Sequence, residues 1–161
     1  MELVRISNRS EKITANFNVL EFWRKSKPQV EYDFPKCFFG AGQILHDYYH
    51  CTVDVTCAKS DTYNFGYHRL GRATDYLPTE RRTEILADFK NECLNWINGK
   101  GSKLIESLRS IGINGFGIEG NCIHLDNRES NTSRVDKYGK YIVFEFKFAP
   151  DGKTFLINKS L

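Results

Sequence analysis

The sequence predicts an α+β fold with a mainly antiparallel sheet, flanking helices and a C-terminal β-hairpin, and three observations carry that prediction. "HCTVDVTCAK", from His50 to Lys59, alternates apolar and polar residues with the period of a half-buried strand. "YIVFEFKFAPDGKTFLIN" alternates again: Ile142, Phe144, Phe146 and Phe148 face one way, Asp151 and Gly152 turn the chain, and Phe155 to Ile157 return as a partner strand. Stretches with helical spacing are scattered among these strands, which separates α+β from a repeating βαβ pattern.

Taken in chain order, "TANFNVLEFWRKSKP" reads as a short helix capped by Thr14, with Phe17, Leu20, Phe22 and Trp23 on its apolar stripe and Pro28 beyond its end. A second helix is expected from Pro35 to about Tyr49, its apolar face built from Phe38, Phe39, Ile44, Leu45 and Tyr48 despite Gly40 and Gly42. The strand around Val53 and Val55 follows. Pro78 and Thr79 then open a long helix in which Ile85, Leu86, Phe89, Cys93, Trp96 and Ile97 recur at helical spacing until "NGKG" stops it. Ser102 caps another helix, with Leu104, Ile105, Leu108 and Ile111 inward and Gly112 at its end. "GINGFGIEGN" reads as a glycine-rich turn segment leading into "CIHLDNR", a short strand.

The 161 residues, 40% of them apolar, are one domain able to bury a single core. A net charge of +3, with no long run of Lys or Arg, gives no indication of a nucleic-acid partner. No apolar run reaches the ~18 residues of a membrane helix, and "MELVRISNRSEK" lacks the apolar centre of a signal peptide. The expectation is a chain that is cytoplasmic as synthesised. Five cysteines without a CxxC spacing argue against a disulfide framework and a zinc ribbon alike, and predict buried free thiols. Cys51 and Cys57, on one strand, stand about 20 Å apart and cannot bridge. The NxS/T triplets at Asn8, Asn131 and Asn158 are read as chance.

There are four histidines. His46 and His50, in "HDYYH", have the spacing of a helical HExxH zinc motif. Asp47, however, stands in the glutamate position, one methylene short of a zinc-held water, so the pair reads as a helix end with a capping histidine. "YHRLGRATD", from Tyr67 to Asp75, is different. Imidazole and carboxylate are ordinary zinc ligands. Gly71 permits an unusual backbone angle between them and Ala73 keeps the space small. His124 is the remaining candidate for a third ligand: it lies on an apolar strand, where a polar side chain needs a reason. Residues two apart on a strand share a face, so Asp126 points the same way as His124 while Ile123 and Leu125 point into the core.

The combination resembles the zinc D-alanyl-D-alanine carboxypeptidase and endopeptidase family, whose fold is shared with the Hedgehog signalling domain. "YHRLGRATD" is similar to its HxxGxAxD signature, "IHLD" to its second signature, "TANFNVLEFWRKSKP" to its "NF...EF" opening, and "CTVDVTCAKS" to the strand before its first ligand. The resemblance runs from about Thr14 to Arg128.

It implies a Hedgehog/DD-peptidase-like fold, zinc held by His68, Asp75 and His124, and hydrolysis of peptidoglycan stem peptides, either at the terminal D-Ala-D-Ala or at an internal bond such as L-Ala to D-Glu. A phage lysis or virion-associated enzyme fits a stand-alone domain of this kind. Where relatives carry "SGYRS", this chain has "CAKSD", leaving Lys59 or Arg72 to steady the oxyanion. Gly66 takes the place of the usual serine before the first histidine. Where some relatives place a glutamate three residues before the last histidine, this chain has Asn121, so the general base falls to Glu119, if a turn at Gly120 and Asn121 swings it inward, or to Asp126. Of the two, Glu119 is favoured as base and Asp126 for orienting His124. The alternative is a non-catalytic, zinc-containing structural or cell-wall-binding module on the same fold.

Overall fold

The computed structural model describes residues 1–62, 66–128, 142–148 and 155–158, the last two segments by their backbone. Among these residues the chain is α+β, with four helices, a two-stranded sheet and a six-stranded sheet. The small sheet pairs β1 (Leu3–Ile6) with β2 (Tyr32–Pro35), antiparallel, with Val4 opposite Phe34. Neither strand was legible beforehand, because four residues give too short a run for alternation to register. Pro35 therefore closes a strand rather than opening a helix.

The first helix, α1 (Val19–Arg24), starts later than Thr14. Its cap is Asn18, whose Oδ1 accepts from the Glu21 amide at 3.1 Å while the Glu21 carboxylate accepts from the Asn18 amide at 3.0 Å. Thr14 sits instead in a tight turn, its amide donating to the Phe17 carbonyl at 3.2 Å. α2 (Cys37–Tyr49) ends at His50, which takes a left-handed conformation (φ 48°) as the C-cap.

The large sheet has the order β3-β4-β6-β5-β7-β8: β3 (Val53–Cys57), β4 (Ala73–Pro78), β6 (Cys122–Asp126), β5 (Gly115–Glu119), β7 (Ile142–Phe148) and β8 (Phe155–Asn158). β5 and β7 run parallel; the other neighbours are antiparallel, including the β7–β8 hairpin. The expected turn at Asp151 and Gly152, and the facing of the hairpin's side chains, lie outside the described residues.

Two further sequence expectations need correction in the large sheet. Pro78 ends β4 instead of starting a helix, and α3 (Arg82–Ile97) begins four residues later. β4 lies inside the sheet with both faces covered, so its residues do not alternate in polarity and mimic no strand template. "GINGFGIEGN" is not merely a turn: Gly115–Glu119 is strand β5. α4 (Lys103–Ser110) has the expected Ser102 cap, whose hydroxyl accepts from the Ile105 amide at 3.1 Å.

One face of the sheet is the apolar core. Tyr76, Ile123, Leu125 and Phe116 are fully buried there, α2 and α3 lie against the sheet, and α4 packs on those helices. Phe22, Phe34, Phe38 and Phe39 form a contiguous aromatic cluster, with ring centroids 4.1 to 5.8 Å apart, that joins α1 and α2 to the small sheet. Of the five cysteines, all free, Cys51 and Cys93 are buried and Cys37, Cys57 and Cys122 half-buried, so burial holds for only two of them.

Candidate metal centre

On the sheet face opposite Tyr76, register does the assembling. Asp75 of β4 is the partner of His124 of β6, which is in turn the partner of Gly117 of β5. Glu119 stands two residues beyond Gly117 and therefore on the same face. Strand alternation, rather than the turn after it, turns Glu119 inward. His68 arrives from the loop before β4, which closes through Gly71 at φ +68°, a left-handed conformation natural for glycine. The Gly71 amide donates back to the His68 carbonyl at 3.1 Å.

His68, Asp75, Glu119 and His124 each offer a ligand atom within 4.8 Å of the others. Donors sharing one metal at about 2.1 Å lie no more than about 4.2 Å apart, so this envelope sits just above the bound limit. Two imidazole nitrogens with two carboxylates are a donor set suited to a divalent transition metal. The cluster could hold a metal ion.

Hydrogen bonds behind the histidines fix which nitrogen faces the cluster. His68 Nδ1 lies 2.9 Å from the Ala58 carbonyl, which can only accept, so Nδ1 carries the proton and Nε2 turns toward Asp75 Oδ1 at 3.2 Å. His124 Nε2 donates to Asp126 Oδ2 at 3.1 Å, leaving Nδ1 facing the same Asp75 oxygen at 2.9 Å. Two imidazole lone pairs thus converge on a carboxylate. That arrangement is repulsive unless a cation lies between them or each ring takes a second proton.

The ionisation of the metal-free site reflects this. Burial opposes the charged form of His68, but the Asp75 charge and hydrogen bond outweigh it and hold the ring well above its ordinary 6.5. His124 is likewise raised: burial opposes its charge, and the hydrogen bonds to Asp126 and Asp75 prevail. Asp75, despite complete burial, is held below the usual carboxylate range by the two rings. Glu119 moves the other way, raised by burial and by the Asp75 charge.

Asp126 stands behind His124. It is fully buried, and the neighbouring Arg128 grips it as a fork, Nε on Oδ1 at 2.6 Å and Nη2 on Oδ2. Against burial, Arg128 and His124 bring its carboxyl down to about 2. The opposing residue is Gly115: a Cβ there would sit 2.0 Å from Asp126 Oδ1, so no larger residue fits beside the carboxylate.

The cations named from sequence have partners of their own. Lys59 Nζ is 3.4 Å from Asp61 and 5.7 Å from the Tyr32 ring centroid, and among the described residues it makes no ion pair with the cluster. Arg72 gives two hydrogen bonds to Asn127, to Oδ1 at 3.0 Å and to the carbonyl at 2.8 Å. His46 contacts Asp47 at 3.1 Å and His50 caps α2, so "HDYYH" forms no metal group among the described residues. Sequence reasoning missed Arg128, although the period of two through His124 and Asp126 runs on to it. It also missed the Ala58 carbonyl, for which a main-chain atom leaves no sequence signal.

Compared with protein-family models, curated proteins and solved structures, the chain matches none.

Proposed function

We propose that the chain is a zinc metallopeptidase on a Hedgehog/DD-peptidase-like fold, hydrolysing peptide bonds of bacterial peptidoglycan. The observation that supports this most is the pair of histidines, each pinned from behind by an acceptor so that its other nitrogen faces Asp75. His68, Asp75 and His124 are the zinc ligands, in keeping with the resemblance of "YHRLGRATD" and "IHLD" to the peptidase signatures. Bound zinc supplies a Lewis acid for the scissile carbonyl and lowers the pKa of water toward about 7. Glu119 is the general base: strand register puts its carboxylate on the sheet face that carries His124 and Asp75, with an oxygen within 4.8 Å of their donor atoms. Asp126, tied to Arg128, orients His124 rather than moving protons. The substrate is a stem peptide bearing D-Ala-D-Ala or an L-Ala to D-Glu bond.

One observation favours a second reading, a zinc-holding cell-wall-binding or structural module without catalysis. Lys59, Arg72 and Arg128 are each engaged by groups outside the four-residue cluster, by Asp61, Asn127 and Asp126, and so are not set out to steady an oxyanion. Metal analysis followed by digestion of purified peptidoglycan separates the two. The enzyme gives about one zinc per chain and new amino and carboxyl ends. Zinc without new ends selects the module, and a protein purified without chelator that holds no zinc overturns both. In the enzyme, Glu119→Gln keeps zinc and loses roughly 10²- to 10⁴-fold in rate. Full activity in that variant transfers the base role to Asp126.

A further inference from the structure

We infer that Arg128 is a positioning residue of the metal centre, acting through Asp126 on His124 and through Tyr67 on the loop that carries His68. The inference rests on the metal-centre reading above and extends it to residues outside the ligand set.

The geometry is a closed circuit. Arg128 is buried, and both of its contacts with Asp126 use the fixed fork of the guanidinium, supplemented by its own backbone amide on Asp126 Oδ1 at 3.2 Å. With one edge of each carboxylate oxygen occupied, Asp126 has one orientation left in which Oδ2 meets His124 Nε2 at 3.1 Å. Cζ of the same guanidinium lies 4.5 Å from the centre of the Tyr67 ring, a cation–π distance. Tyr67 immediately precedes His68. One side chain therefore touches both the carboxylate behind His124 and the residue that precedes His68, in segments more than fifty residues apart.

Arg72 reinforces the link. It lies 5.7 Å from the Tyr67 ring, and its carbonyl accepts from the Asn127 amide at 3.1 Å, joining the loop to the exit of β6. The circuit is made of protein groups alone, so it can aim the two imidazoles independently of an ion. An aimed site binds more tightly because less ordering remains to be done on loading. Lysine at 128 would keep the charge but not the fork or the planar stacking face.

The test uses the full chain, with Zn²⁺ alone as probe in competition with a chelator. A second measurement, on metal-free protein, follows the His124 Nε2 proton by NMR. Arg128→Gln is expected to weaken Zn²⁺ binding by roughly 10- to 100-fold, the range typical of lost support behind a metal ligand, and Arg128→Lys to restore only part of it. In metal-free wild type the Nε2 proton is expected as a slowly exchanging downfield resonance, broadened or lost in Arg128→Gln and Arg128→Lys. Should Arg128→Gln fail to fold, Arg128→Lys carries both measurements. Zn²⁺ affinity within twofold of wild type in the folded variants, together with an unchanged Nε2 resonance, overturns the inference. Wild type that binds no Zn²⁺ overturns the metal-centre reading instead, and the Nε2 resonance then decides the role of Arg128 by itself.

Discussion

Along β4 and β6 the two faces of the large sheet are both buried, by opposite chemistry. On one, Tyr76, Ile123 and Leu125 are each 0% exposed among apolar neighbours; on the other, Asp126 is 0% exposed and Asp75 and His124 5%. Apolar burial is non-directional and stabilises at roughly 25 cal/mol per Å², so the core face needs volume and shape. Ionisable burial is costly unless every charge has a partner, so the polar face needs particular atoms at particular distances. The comparison teaches that stability and site geometry are held on separate faces of the same strands, by residues that alternate along them.

Cutting the polar face at a ligand should give the largest effect. On the proposed metallopeptidase reading, His124→Ala is expected to weaken zinc binding by more than the roughly 100-fold that marks the loss of a supporting group, with the proposed peptidase activity lost alongside. Chelator competition and peptidoglycan digestion check both. The corresponding cut on the core side, Phe22→Ala, removes a fully buried ring from the aromatic cluster and should cost about 3–5 kcal/mol in denaturant unfolding. Zinc affinity, measured where the variant is still folded, should not move. A Phe22→Ala protein that is folded but no longer holds zinc would break the separation of the two faces.

Gly115→Ala tests a position where the faces compete for space. Its Cβ meets the Asp126 carboxylate, so overpacking of about 1–3 kcal/mol is expected. Zinc affinity should fall about tenfold as Asp126 is pushed from His124.

The smallest effect is a slope with pH. In metal-free protein the raised pKa values of His68 and His124 contribute stability that is complete below their unfolded value of 6.5 and disappears as the pH rises through the folded values. Asp75 has the opposite sign: its lowered pKa contributes above 3.8 and is lost on acidification. The metal-free melting temperature should therefore decline from about pH 6.5 upward, while the increment given by zinc, which needs unprotonated rings, grows over the same range. Calorimetry with and without chelator reads both trends, and parallel curves would remove the histidines from the metal site.

Much of this was legible in the sequence. His68, Asp75 and His124 stood out because ionisable residues in a glycine-containing loop and on an apolar strand call for a local explanation. The strand around Val53 and Val55, α2 and α4 were visible through periodicity or a cap. β4 was hidden because an interior strand buried on both faces does not alternate, and β5 because its glycines read as a turn. Those glycines have a different origin at Gly115, where the space belongs to a side chain of the neighbouring strand. Lys59 was named by position in a motif, and chain position does not disclose the acid, Asp61, that lies 3.4 Å from its ammonium.

The two histidines also differ in how they can be lost over evolutionary time. His68 is steadied by a main-chain carbonyl, that of Ala58, which exists whatever residue occupies position 58. His124 depends on the side chain of Asp126, and through it on Arg128 and on the absence of a side chain at Gly115. A single nucleotide change at any of those three codons can disturb the second histidine without touching either ring. Drift that disables the cluster is therefore expected to enter through β5 and β6, with the His68 loop the last part of it to change.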